Sequence, residues 1–423
     1  MILTTPSSRR AEYFSKNLAE ILCEELRSFR QFNGVTKLDT TNTLGRQGIP
    51  TFTNEFWTSK QRAANRLHEI SYRACFKPQL PRFFIERLTK PGNMVFDPFM
   101  GRGTTLLEAA LLGRVPSGCD VNPLCRKLIA PRLNPPTILK VQERLAEIDF
   151  DADVKMPDDL LVFYHPQTLQ QLCALRSYLL KREKRRLIDS VDEWIQMVAL
   201  NRLTGHSPGF FSVYTLPPNQ AVSIESQLRI NKRLGQKPEL RSVPDLILKK
   251  TKSLLGSLSD ADRKTLRHSG SKANILNRSC EFLPEILDDS VNLVVTSPPF
   301  LNVVDYATDN WLRNWFFGLD GRFTQFVIHK KLMDWEASMG RALAEIHRIL
   351  QPGGWVAFEV GEIQRGKIQL EDSVIPAGVA AGLEPELVLI NSQQFTKTAN
   401  CWGVRNNDLG TNTNRVVLFQ KPS

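Results

Sequence analysis

Closely spaced cysteines are missing from this 423-residue chain. Its seven cysteines (23, 75, 119, 125, 173, 280 and 401) form no Cys-x-x-Cys pair, and no histidine stands at zinc-finger spacing from them. A disulfide framework or structural zinc site is thereby disfavoured, and reduced buried thiols are the simpler reading. No run approaches the roughly 18 uninterrupted apolar residues of a membrane span. The opening Met1-Ile-Leu-Thr-Thr-Pro-Ser-Ser-Arg-Arg has no apolar core of a secretory signal, so a cytoplasmic setting is expected. Acidic residues are in deficit: 44 Asp and Glu face 55 Lys and Arg, a net charge of +11. That excess suits a polyanionic partner, although ribosome-associated and membrane-surface proteins share it. With 42% hydrophobic and 23% charged residues, the chain is a folded one of about two or three domains.

The positive charge is not spread evenly. Residues 126–275 read as mostly helical and hold 25 Lys and Arg against 16 Asp and Glu, which is +9 of the +11. A like-charge run is most often a solvated helix face. Here the excess sits in one segment between nearly neutral flanks, which favours a nucleic-acid surface.

On either side the pattern is α/β. Helical spacing is expected from Ala11 to about Phe29, followed by a polar stretch rich in Thr, Asn and Gly. Further helices are expected over Lys60–Cys75 and Arg82–Leu88. Asn93-Met-Val-Phe-Asp is a short strand, Pro98 to Gly103 a turn, Leu106 onward a helix stopped by Gly113, and Val115-Pro-Ser-Gly-Cys-Asp a second strand ending in an acid. Strand, glycine turn, helix, strand, acid is the first half of a nucleotide-binding unit. The alternation returns at Asp289–Thr296, in a helix over Trp335–Leu350, and in strands at Trp355–Val360 and Arg415–Gln420. The fold class expected is α/β, a Rossmann-like sheet with helices on both faces, interrupted by a long, mainly helical insertion. Four parts are read: an extension over 1–50, a cofactor-binding part over 51–125, the basic insertion over 126–275 and a catalytic part over 276–423.

Two strings carry chemistry. Asp97-Pro-Phe-Met-Gly-Arg-Gly-Thr-Thr places Gly101 and Gly103 between a strand and a helix, where glycine lets a ligand approach the backbone. It has neither the Lys-Ser/Thr ending of a phosphate loop nor the third glycine of the dinucleotide fingerprint, and a GxG alone also fits a plain tight turn. Asp120, at the end of the next strand, could accept from two ribose hydroxyls. Thr296-Ser-Pro-Pro-Phe ends a buried strand in two prolines that fix φ and remove two amide donors. A rigid turn would look the same, yet a hydroxyl and an aromatic flank the diproline at the strand edge where such sheets bind ligands.

These strings resemble the cofactor loop and catalytic motif of S-adenosylmethionine-dependent DNA amino-methyltransferases. The serine form is typical of enzymes that methylate cytosine N4; adenine enzymes usually carry Asp or Asn first. His68-Glu to Leu80-Pro resembles the cofactor-carboxylate region, and Ile349-Leu-Gln-Pro-Gly-Gly a later helix-to-strand connection. The resemblance covers roughly residues 55–125 and 275–423. It implies S-adenosyl-L-methionine as cofactor, held by Asp97, Pro98, Phe99, Gly101, Gly103, Thr104, Asp120 and Asn277. It implies catalysis at Ser297, Pro298, Pro299 and Phe300, with Phe300 and Tyr306 against an extruded base, and no metal. Double-stranded DNA is the implied partner, with a cognate restriction endonuclease acting on the same site where the enzyme serves restriction-modification. The chain departs from the family at Arg102, often Ser, at Phe300, more commonly Tyr, and at Asn277-Arg-Ser, often Gly-Asp. Adenine-N6 methylation, RNA methylation and a non-catalytic DNA-binding role are the alternatives. No Pro-Cys pair is present for ring-carbon methylation.

Overall fold

The structure, a computed structural model, describes residues 18–32, 34–44, 46–58, 64–72, 75–215, 221–299, 310–319, 331–363, 368–392 and 413–423. Short apolar strands alternate with helices and assemble into one nine-stranded sheet. In chain order its strands are β1 (Lys37–Thr43), β2 (Arg46–Asn54), β3 (Met94–Asp97), β4 (Val115–Cys119), β5 (Asn274–Leu276), β6 (Val291–Thr296) and β7 (Leu350–Val360). A small separate pair, β8 (Glu362–Ile363) and β9 (Ile368–Gln369), precedes the last two, β10 (Glu384–Ser392) and β11 (Thr413–Gln420). The spatial order is β1-β2-β10-β11-β7-β6-β3-β4-β5. Strands β5, β4, β3, β6 and β7 run parallel, β11 is antiparallel to both its neighbours, and β10 pairs parallel with β2.

Alternation along the strands makes two apolar faces. Phe96, Val294, Val356 and Phe358 point into one core with Met339, Leu343 and Ile346. Val95, Leu293, Val295 and Ala357 point into the other with Phe83, Phe84 and Leu26. The covering helices are α1 (residues 18–28) and α2 (Gln79–Leu88), then α3 (Thr104–Leu111), where Gly113 at φ +74° ends the turn.

The segment between β4 and β5 holds α4 (Pro123–Leu133), α5 (Ile138–Glu147), α6 (Pro166–Lys184), α7 (Ser190–Leu200), α8 (Ile224–Leu234), α9 (Val243–Leu255) and α10 (Asp260–Gly270). Their apolar stripes form a third core around Trp194, Leu172 and Phe163, which runs without a break into Leu106, Leu107 and Leu128. After β6 come α11 (Trp311–Phe317), α12 (Leu332–Ile349) and α13 (Glu371–Ala380). Among the described residues no helix is long and apolar enough to cross a membrane.

Two expectations are corrected. The polar stretch after α1 is a hairpin, β1–β2, that lengthens the sheet; Ile49, Phe52 and Asn54 face inward from it. The helix expected over Lys60–Cys75 is, in its described part, a single turn at Arg66–His68. The carbonyls that an α-helix would use internally are taken by two buried guanidiniums. Arg102 Nη1 donates to Ile70 O at 2.8 Å and Arg132 Nη1 to Leu67 O at 3.3 Å.

Candidate functional site

Strand β3 delivers Asp97 to the sheet's C-terminal edge, where the chain turns through Pro98–Gly103 into α3. The turn is pinned from inside by β4: Met100 N donates to Cys119 O at 3.1 Å. It is pinned at its tip by Asp120, whose Oδ2 accepts from Gly101 N at 2.9 Å and whose Oδ1 accepts from Asn122 N at 2.8 Å. Burial pushes the Asp120 carboxyl up, and the two amides work against it. Asn277, just past β5, donates to Asp120 O and Val121 O at 2.9 and 3.1 Å, bracketing that corner. Asp97, Pro98, Phe99, Gly101, Gly103, Thr104, Asp120 and Asn277 thus lie along one edge, with the Val121 side chain 48% exposed beside them.

Not all of them are accessible: Asp97, Pro98 and Gly103 are buried. Thr104 is buried and accepts from Arg102 Nε at 3.2 Å. Arg102 itself turns inward and ties the loop to residues 68–76. Beneath it Arg132, pushed down to about 9 by burial, bonds Leu128 O and Arg102 O. His68 Nε2 meets Glu108 Oε1 at 2.7 Å, and burial holds the imidazole below its ordinary range.

Strands β3 and β6 are adjacent and parallel, with Phe96 opposite Val294. Their ends therefore form neighbouring corners. Thr296 Oγ1, at the end of β6, donates to Asp97 Oδ1 at 2.6 Å, and Phe99 N donates to the same oxygen at 3.1 Å. One carboxylate thus fastens the glycine turn to the diproline turn. Burial raises Asp97 from 3.8 to about 7. Its folded form therefore binds a proton more tightly than the unfolded chain, so this stability is complete below pH 3.8 and lost as pH rises through about 7. Asp97→Asn keeps Oδ1 as acceptor for both donors and removes the buried charge. Its stability relative to wild type should rise on the order of 2–4 kcal/mol between pH 4 and pH 8, read by thermal melts across that range.

At the Thr296–Pro299 string, the register sets Thr296 opposite Phe358, which places Ser297 beside Glu359 of β7. Glu359 is 5% exposed and accepts from the Ser297 hydroxyl and from Asn414 Nδ2 of β11. Burial raises its carboxyl, and these two donors oppose the rise. Trp335, buried on α12, donates Nε1 to Pro299 O at 3.0 Å. Among the described residues the Pro298 carbonyl accepts no hydrogen bond; Pro298 is buried and Ser297 half-buried. Phe300 and Tyr306 lie outside the described residues. The next described element, α11, is bonded back to the segment before α2 through Arg313 Nη2 to Ser71 O at 2.9 Å.

Glu359, Asn414 and Trp335 were not singled out in the sequence. One signal was present: an acid inside Trp355-Val-Ala-Phe-Glu-Val, a strand otherwise apolar. Among the described residues no cluster of three or more His, Cys, Asp or Glu could hold a metal ion.

Residues 20–130 match a family model described as DNA methylase. Type II methyltransferase M.BsoBI of Geobacillus stearothermophilus is 23% identical over 274 residues, 59% of this chain and 52% of that protein. Type II methyltransferase M.MjaII of Methanocaldococcus jannaschii is 31% identical over 91 residues, 21% of this chain and 17% of that protein. The chain therefore spans about half the length of M.BsoBI and less of M.MjaII. A solved DNA modification methylase of Thermus thermophilus, complexed with S-adenosyl-L-methionine, is 19% identical over 34% of this chain and 53% of its own, with a TM-score of 0.21.

Proposed function

We propose that this chain, whose residues 20–130 match a family model described as DNA methylase, moves a methyl group from S-adenosyl-L-methionine to the exocyclic N4 amine of cytosine in duplex DNA. The observation that carries this reading is the Ser297 hydroxyl, donated to buried Glu359 at a corner fastened to the glycine turn by Asp97.

The cofactor fits the first corner. A half-buried carboxylate fixed by two amides suits a ribose, exposed Val121 suits an adenine face, and half-buried Gly101, with no Cβ at the tip of the turn, suits the approach of a sulfonium. Asp120, Val121, Asn277 and the Gly101–Gly103 turn are the residues that would hold it. When bound, S-adenosylmethionine supplies an electrophilic methyl.

The remaining work falls to the second corner. The cytosine amine is a poor nucleophile because its lone pair is delocalised into the ring. With its hydrogen committed to Glu359, Ser297 Oγ presents lone pairs to one N–H of the amine; the Pro298 carbonyl accepts the other. Two acceptors set tetrahedrally draw the nitrogen out of ring conjugation and aim its lone pair at the methyl. The N–H proton shed as the new N–C bond forms passes to Ser297 Oγ while the serine proton passes to Glu359, whose raised pKa suits it to receive one. A base can reach this corner only outside the stack, at a cost of a few kcal/mol. Stacking on Phe300 and contact with Tyr306 are proposed to offset part of that cost. The enzyme would modify a specific site, either paired with an endonuclease cutting the same sequence or acting alone.

Incubation with duplex DNA and methyl-labelled S-adenosylmethionine, then hydrolysis to nucleosides, tests the reading. Label is expected in N4-methylcytosine. Label in N6-methyladenine moves the target to adenine, and label accepted only by tRNA sinks the DNA assignment.

A further inference from the structure

Helix α8 breaks the rule that a helix is stabilised by burying an apolar stripe. Its one buried side chain is Gln227. It is held by amides: Gln227 Nε2 and Gln236 Nε2 both donate to Tyr214 O, at 3.0 and 2.9 Å, and Asn231 Nδ2 donates to Val162 O at 2.7 Å. Ser223 caps its start, and Gly235 at φ +59° ends it. The outward face carries Arg229, Lys232, Arg233 and, just past the cap, Lys237, all exposed. Arg229 faces Glu225 one turn back and donates to Ser226 Oγ at 3.2 Å, and among the described residues none of the four forms an ion pair within 4.0 Å. Arg241, by contrast, is matched with Glu239 at 3.1 Å. Leu228 and Leu234 also stay exposed, at 52% and 49%.

Its place in the fold matters as much as its charge. The chain entering α8 is bonded to α11, the first described element after the diproline string: Trp311 Nε1 donates to Ala221 O at 3.2 Å. The same indole packs on Phe163 at 6.0 Å between centroids, and Phe163 O accepts from Val213 N. A basic helix is thus tied to α11, the first described element after the diproline string.

We propose that the outer face of α8 is the surface that docks on duplex DNA beside the extruded base, with Arg229, Lys232, Arg233 and Lys237 against phosphates. The inference rests on the DNA reading above and deepens it. Each cation that neutralises a phosphate releases counterions, so it contributes about 0.9 to the slope of log affinity against log salt. Neighbouring Leu228 and Leu234 offer the apolar contact that thymine methyl groups accept in a groove.

The test compares wild type with R229Q/K232Q/R233Q/K237Q and with a charge-matched control, K249Q/K252Q/K264Q/R267Q, on α9 and α10. Duplex binding is measured by fluorescence anisotropy over a salt series, with cofactor affinity and melting temperature in parallel. The α8 variant should lose about 2 to 4 from the salt slope, with unchanged melting and cofactor affinity, while the control loses less than about 1. An α8 variant with the wild-type slope, or an equal loss in the control, overturns the assignment while leaving the methyltransferase reading intact. Wild type that binds no duplex at any salt overturns both.

Discussion

Glu359→Gln is expected to lower turnover on duplex DNA by about 10²–10³-fold while changing cofactor affinity less than about twofold. In the proposed mechanism the carboxylate accepts the Ser297 proton, whereas glutamine accepts a hydrogen bond but takes no proton. Turnover should therefore fall while the corner keeps its shape, since the Ser297 and Asn414 donors can both still bond to the amide oxygen. The pH dependence separates this role from a structural one. Burial raises the Glu359 carboxyl, so the ionised acceptor is lost as pH falls through that raised value. Wild-type turnover should drop on the acid side, and the variant's residual activity should lack that limb. Stability should move the other way: removing a buried negative charge leaves the variant at least as stable as wild type above neutral pH. Single-turnover kinetics against pH, with melts on the same samples, check all three. A variant that loses activity together with its fold would contradict the assignment.

Gly103→Ala carries the largest expected effect on stability. Gly103 opens α3 at φ +74°, a conformation that costs a residue with a Cβ roughly 1–2 kcal/mol. The new methyl would also stand 2.4 Å from Ile129 Cγ1 and 2.8 Å from its Cδ1, inside the packed contact between the turn and α4. Relief requires shifting a buried isoleucine, which adds about 1–3 kcal/mol. Destabilisation of roughly 2–5 kcal/mol by denaturant melts is expected from the two costs together, with cofactor affinity falling because the turn moves. Gly101→Ala makes the contrast: its nearest neighbour would be Tyr72 Cε1 at an ordinary 3.6 Å, so only the backbone penalty at φ +46° applies.

The strings around Asp97 and Ser297 were legible because their chemistry is local. A strand, a turn that needs glycine and a helix start fall within a dozen residues. The hairpin β1–β2 was not, since Thr, Asn and Gly dominate it and inward-facing residues such as Phe52 declare themselves only once β10 lies alongside. The segment around His68 has helical spacing, and only the arrival of Arg102 and Arg132 from distant positions decides its path. Glu359 follows the same logic. A strand acid in isolation says little, and its meaning comes from the register that puts Ser297 and Asn414 on either side of it.

Two corners of one sheet edge are proposed to share a single reaction space. A crystal structure with bound S-adenosylhomocysteine measures this most directly. The sulfur is expected beside the Gly101–Gly103 turn and facing the Pro298 carbonyl and Ser297 Oγ, with room for an amine nitrogen about 3–3.5 Å from the methyl position. A sulfur in a different cavity, or walled off from the diproline by packed chain, would contradict it.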